Sequence, residues 1–594
     1  MYFCKKNEFL KHLFPILQWL PNYKKEMLWG DAVSGITAGI LAIAQGMAYA
    51  MIAGLPPVFG LYAALTPQII YVLMGTSRQL SIGPVAMDSL IVAAGIGTLN
   101  IIGVEEYIAV AVFLALFVGV IQVLLGTLKL GFLVNFLSKP VLSGFTSAAA
   151  IIIGLSQLKH LFRVDMVQTN KIHILLQEVI SNILETHFLS FGLGVGGMIL
   201  IKLFQKINKK IPAILVVVSL GTLVLYLTQG QLNGIRIVGT IPVGLPNLSV
   251  PSFDKNQFVD LIPIAITLAV VGFTEAISIA KSIEEHHTEY EVDPNQELIA
   301  IGSGNIIGSF AQSYPSTASF SRSAIQDQGG AQSGIASLFS AGLVLLTLLF
   351  LTPLFYYLPI PILASIIMVS IFGLVDLKYP RQLWKKNKEE CFAFLITFVI
   401  TMSIGIPQGI LFGVLLSLLT MIYRTSRPHI AILGRIKNTE YYKNINRFQK
   451  DIEVDSRILI LRFDAQLFFG NQDYFKKELQ KQVVLKGEKL ELIIINAEAI
   501  NYIDSSAMNM LEKVCGDLKK AGLNIMIVGA IGPIRDIIFD HALICIIGSR
   551  NLFITTSEAV NTFLDGTVVS SIQKKITRQN LTVTNVTKNI VKED

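Results

Sequence analysis

The chain has 594 residues, of which only 15% are charged, against about 25% in an ordinary soluble protein. The shortage is uneven: residues 1–425 hold 47 of the 89 charged residues and residues 426–594 hold 42. This excludes a secreted disulfide scaffold, a disordered chain and a simple soluble enzyme, and fits a polytopic membrane domain followed by a soluble one. The net charge of +7 does not imply nucleic acid, because the basic residues sit mostly in short loops between apolar runs. Cys4, Cys391, Cys515 and Cys545 form no CxxC pair or metal spacing. They read as ordinary buried thiols, and neither a metal nor a cofactor is expected.

In chain order, residues 7–30 contain no long apolar run before Trp29, so no cleaved signal peptide is expected. A membrane-spanning helix needs about 20 apolar residues. Full-length candidates occupy roughly 34–54, 107–126, 141–158, 187–207, 211–228, 260–280, 334–352 and 391–423, the last folding into two spans at Ile406-Pro407. Runs interrupted by glycine, proline and hydroxyl residues occupy 58–75, 82–98, 297–311, 317–330 and 358–375. The total is about 14 segments. Basic clusters at 1–30, at Lys202, Lys206, Lys209 and Lys210, at 378–388 and after Arg424 then fall on one side. The positive-inside rule makes that side cytoplasmic, with both termini on it. From about residue 450 the pattern becomes that of a small α/β domain. Buried strands are predicted at 457–463, 490–495 and 524–528, with amphipathic helices at 473–485 and 506–521 between them.

Two interrupted segments stand in comparable places in the two halves. Leu80-Ser81-Ile82-Gly83-Pro84-Val85-Ala86 leads into one short apolar run. Tyr314-Pro315-Ser316-Thr317-Ala318-Ser319-Phe320-Ser321-Arg322 leads into the other. Proline in a first helical turn and serine or threonine as a cap would start a half-helix inside the membrane. Its free N–H groups and partial positive charge suit an anion. Such pairs mark a transporter site near the bilayer midplane; the plain alternative is two kinked helices with no ligand. Ionisable residues inside the membrane are the second signal. Glu275, about mid-span, is either a proton site or a carboxyl buried for structure. Arg322 supplies fixed positive charge or pairs with a structural partner. Asp88 binds a cation or proton, or caps local structure. Gln45 and Tyr49 are four residues apart and share a helix face, which lines a pocket or packs against a neighbour.

These motifs resemble the sulfate permease (SulP) anion transporters. GITAGILAIAQGMAYAMIAGLPPVFGLYAAL, then GTSRQLSIGPVA, resembles the start of that family, and PVFGLY at 57–62 matches its signature. DPNQELIAIGSGNIIGSF at 293–310 and STASFSRSAI at 316–325 match further on. The last domain is similar to a STAS domain, with Asp504-Ser505-Ser506-Ala507 opening a helix. The resemblance runs from about Phe14 to Leu564. It implies an α-helical polytopic membrane protein of two inverted seven-segment repeats, forming core and gate subdomains, with a C-terminal α/β STAS domain. It implies that Gln45, Tyr49, Val85, Ser321 and Arg322 fall at substrate positions. Gly83, Pro84, Ala318, Ser319 and Phe320, from the two interrupted segments, are candidates for the same site. It also implies that Glu275 stands where proton-coupled members carry a glutamate. Asp88 is not part of the family pattern. In related anti-sigma factor antagonists a serine of the Asp-Ser-Ser-Gly motif is phosphorylated. Here Ala507 replaces the glycine, so Ser505 and Ser506 are regulatory candidates beside a plain N-cap role for Asp504 or Ser505.

The expected organisation is a cytoplasmic N-terminal segment at 1–30, a transmembrane transport domain at 31–425, a linker at 426–450, the STAS domain at 451–567 and a mobile tail at 568–594. The expected function is secondary active transport of a small inorganic anion in the plasma (inner) membrane. Proton-coupled sulfate uptake by alternating access leads. Bicarbonate or C4-dicarboxylate transport, anion exchange or a channel-like uniporter are the alternatives. Partners expected are the anion, a proton, the lipid bilayer, a second copy in a homodimer and a cytoplasmic regulator of the STAS domain. No triad, metal cluster or nucleotide loop suggests an enzyme.

Overall fold

The computed structural model describes residues 10–97, 99, 101, 103–132, 138–164, 166, 172–207, 213–228, 234–252, 258–287, 289–372, 375–448 and 451–565. The tail expected at 568–594, Cys4, and the start of the N-terminal segment at 1–9 lie outside them. The chain divides into two compact units, Met1–Leu418 and Leu419–Asp594.

The first unit is helical. Its first half runs α1 (Lys25–Ile52), α2 (Pro57–Met74), β1 (Ile82–Gly83), α3 (Ala86–Ile96), α4 (Val104–Thr127), α5 (Lys139–Phe162), α6 (Phe188–Ile207) and α7 (Ala213–Leu227). Its second half repeats the order: α8 (Phe258–Glu284), α9 (Pro294–Phe310), β2 (Thr317–Ala318), α10 (Phe320–Gln328), α11 (Ile335–Leu346), α12 (Ile360–Phe372), α13 (Lys388–Ser403) and α14 (Ile406–Ser426). Each half therefore places a short helix third, behind a two-residue strand. The two strands pair antiparallel, Ile82 with Ala318 and Gly83 with Thr317, so the two short helices enter from opposite directions. By length and composition α1, α2, α4, α5, α8 and α11 with its continuation to Phe355 can each cross a membrane. Gly405, at φ +140, opens the break before α14. The sequence pattern did not anticipate two amphipathic helices, Ile172–Asn182 and Lys378–Lys386. Both are too short and too polar to register as spans.

Helices α1–α4 and α8–α11 pack together, as do α5–α7 with α12 and α13; α7 and α12 reach across to α1, and α14 meets α5 and α13 at Gly413. Small residues set the closest approaches, as expected where lipid removes the hydrophobic drive between helices. Gly46 of α1 faces Gly60 of α2, and a Cβ at Gly60 would lie 1.9 Å from the Gly46 carbonyl oxygen. Backbone cannot yield there as a flexible side chain could. Gly60→Ala is expected to destabilise the protein by roughly 3 kcal/mol or more, seen as loss of the monodisperse peak in fluorescence-detected size exclusion.

The second unit is built on one mixed sheet in the order β4-β3-β6-β7-β8-β9. Its strands are β3 (Ile430–Ile436), β4 (Tyr442–Asn444), β5 (Ile452–Glu453), β6 (Ile458–Phe463), β7 (Leu492–Asn496), β8 (Asn524–Val528) and β9 (Leu552–Phe553). β5 pairs with β3 beside this path. Strands β6 to β9 run parallel, and β3 lies antiparallel to β6. Crossover helices α15 (Gln472–Lys486), α16 (Ser505–Lys520), α17 (Gly532–Asp540) and α18 (Leu543–Ile547), then α19 (Thr556–Leu564), supply the packing. Parallel strands covered on both faces explain the continuous apolar runs at β6 to β8. The sheet begins earlier than expected, since β3 and β4 lie within 426–450, the stretch read as a linker. Asp464 closes the β3–β6 end: it accepts two bonds from Arg462, at 2.5 and 3.1 Å, and lies 2.8 Å from His429 Nδ1. These partners hold its carboxyl below the usual range despite partial burial. The cysteines also differ from expectation. Cys391 and Cys515 are buried and Cys545 is exposed; burial pushes the Cys515 thiol up to about 12.

Candidate functional site

The candidate residues of both halves meet where β1 pairs with β2. The Ser319 N–H donates to the Ser81 carbonyl at 2.9 Å, and the Ser81 N–H donates to Ser323 Oγ at 2.9 Å. Gly83, Pro84 and Val85 therefore lead into α3 beside Ala318, Ser319 and Phe320 leading into α10. The helix starts differ from the sequence expectation in one respect. Pro84 precedes the Val85 N-cap and Pro315 lies before β2, so neither proline occupies a first turn. Ser319 is the N-cap of α10 but its hydroxyl caps nothing. The residues before each helix are committed to the β1–β2 pairing instead. No side chain caps either N-terminus, which leaves their partial positive charge available to a ligand.

Arg322 sits in the first turn of α10 with 0% exposure. Its Nε donates to Ser81 Oγ at 3.4 Å and its Nη1 to the Pro84 carbonyl at 3.0 Å, while Nη2 has no partner. No carboxylate pairs with it among the described residues. Gln45 and Tyr49 of α1 are buried on the same side. Gln45 exchanges weak hydrogen bonds with Ser321 Oγ at 3.4–3.5 Å, and Ser321 lies 3.4 Å from Ser319 Oγ. Tyr49 interacts with Ser370 of α12 and with the charge on Arg322. Phe320, 67% exposed, and Ser321 open outward while Arg322 stays covered. The result is a polar cluster with a buried cation, an amide, hydroxyls and two helix N-termini, as an oxyanion requires.

Gly83 belongs to this chemistry for a steric reason. A Cβ there would lie 3.0 Å from Arg322 Nη2, and its φ of +155 disfavours a side chain. Gly83→Ala is expected to raise the KM for anion uptake about tenfold, consistent with roughly 1–3 kcal/mol of local strain. Initial rates in proteoliposomes check it.

Asp88 and Glu275 lie on α3 and α8, which pack against each other. Asp88 lies in the first turn of α3 and interacts electrostatically with Glu275 of α8. Several residues that hold the site were not singled out from sequence. Asn305 of α9 accepts from the Ser316 N–H at 2.8 Å and donates to the Ser316 carbonyl and to Gln122 of α4. Thr317 donates to the Gly272 carbonyl at 2.6 Å, and Ser89 and Tyr314 hydroxyls are 3.0 Å apart. Glu297 accepts from Tyr71, from Thr76 through both N–H and hydroxyl, and from the Ser77 N–H, tying α9 to the end of α2. Asn305 and Glu297 lie in the quoted 293–310 motif, the one signal that pointed to them. In the second unit Asp504 is the N-cap of α16, accepting from the Ala507 N–H at 2.8 Å and from the Phe469 N–H at 2.8 Å. Ser505 and Ser506 are exposed.

Residues 28–397 match the Sulfate permease family, and residues 449–559 match the STAS domain. The chain belongs to the sulfate permease family. It is a multi-pass membrane transporter and not an enzyme. It is 33% identical to Sulfate transporter 4.1, chloroplastic, of Arabidopsis thaliana, over 96% of this chain and 85% of that one. It is 35% identical to Prestin of Danio rerio, over 80% and 68% of the two chains. The structure of murine Solute Carrier 26 family member A9, an anion transporter in the inward-facing state, matches with a TM-score of 0.86 at 26% identity, covering 94% of this permease and 95% of that chain.

Proposed function

We propose that this permease is a secondary active transporter that takes up sulfate together with a proton by alternating access. The observation that carries the anion part is Arg322: a fully buried guanidinium with one nitrogen unpartnered, between two uncapped helix N-termini. A buried charge without a counter-ion is costly, and a bound oxyanion supplies the counter-ion. Gln45, Ser319 and Ser321 offer the neutral hydrogen bonds that orient it. The names of the plant relatives favour sulfate as cargo, and the inward-facing relative favours a fold that alternates its access. Glu275 is the proton site in this reading. Protonation there offsets part of the charge that sulfate carries against an inside-negative potential, worth about 2.3 kcal/mol per charge per 100 mV.

The protein acts in the plasma (inner) membrane with both termini cytoplasmic, as a homodimer, with the STAS domain, whose sheet begins at Ile430, as its cytoplasmic contact and the site of a regulator. Ser505 and Ser506 are the exposed hydroxyls a regulator would reach. The test is uptake of labelled sulfate, bicarbonate and a C4-dicarboxylate into proteoliposomes, with pH and sodium gradients imposed separately. Acceleration of uptake by sulfate inside the vesicle is expected of a carrier. Its absence together with large single-channel currents would replace the carrier by a channel.

A further inference from the structure

Asp88 is a buried titratable group that the anion site does not use. It is 2% exposed, and its Oδ1 has no hydrogen-bond partner. Its Oδ2 packs against α8 at Gly272, where a Cβ would lie 3.3 Å from Oδ2 and 3.2 Å from Thr317 Oγ1. The Thr317 hydroxyl is already spent, since it donates to the Gly272 carbonyl. Glu275 follows Gly272 by three residues, so it projects from the same face of α8. Charge at Glu275 acts on Asp88. No cation pairs with either carboxyl among the described residues.

The groups facing Asp88 are few. Glu275 comes from α8 and Tyr314 from the turn before β2; Arg322 and Tyr49 also act on Tyr314, Arg322 with the sign opposite to that of Asp88. The α1, α4 and α5 helices, which also pack on α3, carry their other ionisable side chains toward their ends: Lys25, Glu26 and Asp31, then Glu105, Glu106 and Tyr107, then Lys139, Lys159 and His160. Two carboxyls on facing sides of packed helices, with no cation beside them, favour a state in which only one is ionised.

We propose that Asp88 and Glu275 hold one proton between them, forming a single site where the first turn of α3 meets the middle of α8, and that this pair couples proton to anion movement. The inference rests on the proton-coupled reading and deepens it. The pair adjoins both moving parts of the site. Asp88 shares α3 with the N-terminus that faces the anion, and Thr317 joins α8 to the strand leading into α10. A shift of these elements on anion binding changes the distance between the carboxyls, and hence their hold on the proton.

Uptake of labelled sulfate by the intact protein, measured against pH in proteoliposomes, tests the pair. Asp88→Asn removes a like charge from beside Glu275 and is expected to move the midpoint of the profile down by about 1 unit or more. An unmoved midpoint overturns the pair and leaves Glu275 coupling standing. If Glu275→Gln keeps the full response to a pH gradient, Glu275 is not the coupling group and the pair falls with it; no response to a pH gradient in the unaltered protein removes proton coupling itself. Dicyclohexylcarbodiimide, which attacks protonated buried carboxyls, reads the unaltered protein if Asp88→Asn does not fold. Peptide mapping is expected to find adducts on both residues across the population, but only one per molecule. Absence of label from Asp88, or two adducts on one molecule, overturns the proposal, as does sulfate accumulation driven by sodium at constant pH.

Discussion

Replacing Arg322 with glutamine is expected to lower sulfate kcat/KM at least about 30-fold. Removing one partner from a buried, hydrogen-bonded charge pair costs about 2–5 kcal/mol, and each 1.4 kcal/mol is tenfold. The lower end applies if the two helix N-termini and Ser321 retain the anion weakly; the upper end applies if the guanidinium supplies most of the attraction. Glutamine keeps a donor that can reach the Pro84 carbonyl, so the β1–β2 region keeps part of its support. Lysine is a poor substitute in the same experiment, because a point charge on a flexible stem cannot hold Ser81 and Pro84 while also facing the anion. Unchanged uptake with Arg322→Gln would reduce Arg322 to a strut for β1. Loss of uptake with unaltered thermal stability and surface level assigns it to the anion.

Arg322 was legible in the sequence because a charge inside an apolar region stands out whatever it touches, and so was Glu275. The short helices α3 and α10 were legible too, since Gly83, Pro84, Pro315 and the hydroxyl residues break the hydropathy on either side of them. What those residues do was not. A proline near a helix start suggests a first turn, but here the chain before each helix is held by the strand across from it. That pairing joins positions 82 and 318 and leaves no local trace. The same holds for Asp88, whose neighbour Glu275 is far along the chain and reaches it only because α8 crosses α3. Asn305 and Glu297 are polar residues on an apolar helix, and their partners at 76, 122 and 316 are fixed by packing. In the second unit β6, β7 and β8 were plain, as buried parallel strands read as apolar runs. β3 was missed because its stretch (IAILGRI) carries an arginine and a glycine and stands between the last span and a polar loop.

Glu275→Gln is expected to abolish sulfate accumulation driven by a pH gradient while leaving sulfate–sulfate exchange measurable. In vesicles clamped at zero potential, one proton per anion and a gradient of one pH unit supply about 1.36 kcal/mol. The unaltered protein therefore concentrates sulfate about tenfold from the acidic to the alkaline side. Glutamine holds a fixed neutral group, so the variant carries no proton and its accumulation ratio falls to about one. The sign of the electrical effect follows. With one proton per divalent anion the unaltered protein moves one net negative charge, and the variant moves two. An inside-negative potential of 100 mV therefore opposes the variant by about 2.3 kcal/mol more, roughly a 50-fold further reduction in the level it reaches inside. Accumulation in the variant equal to that of the unaltered protein, at the same gradient, would remove Glu275 from coupling. An intermediate ratio that does not change with pH would show a proton carried elsewhere, and the residues left to carry it would be those packed around Asp88.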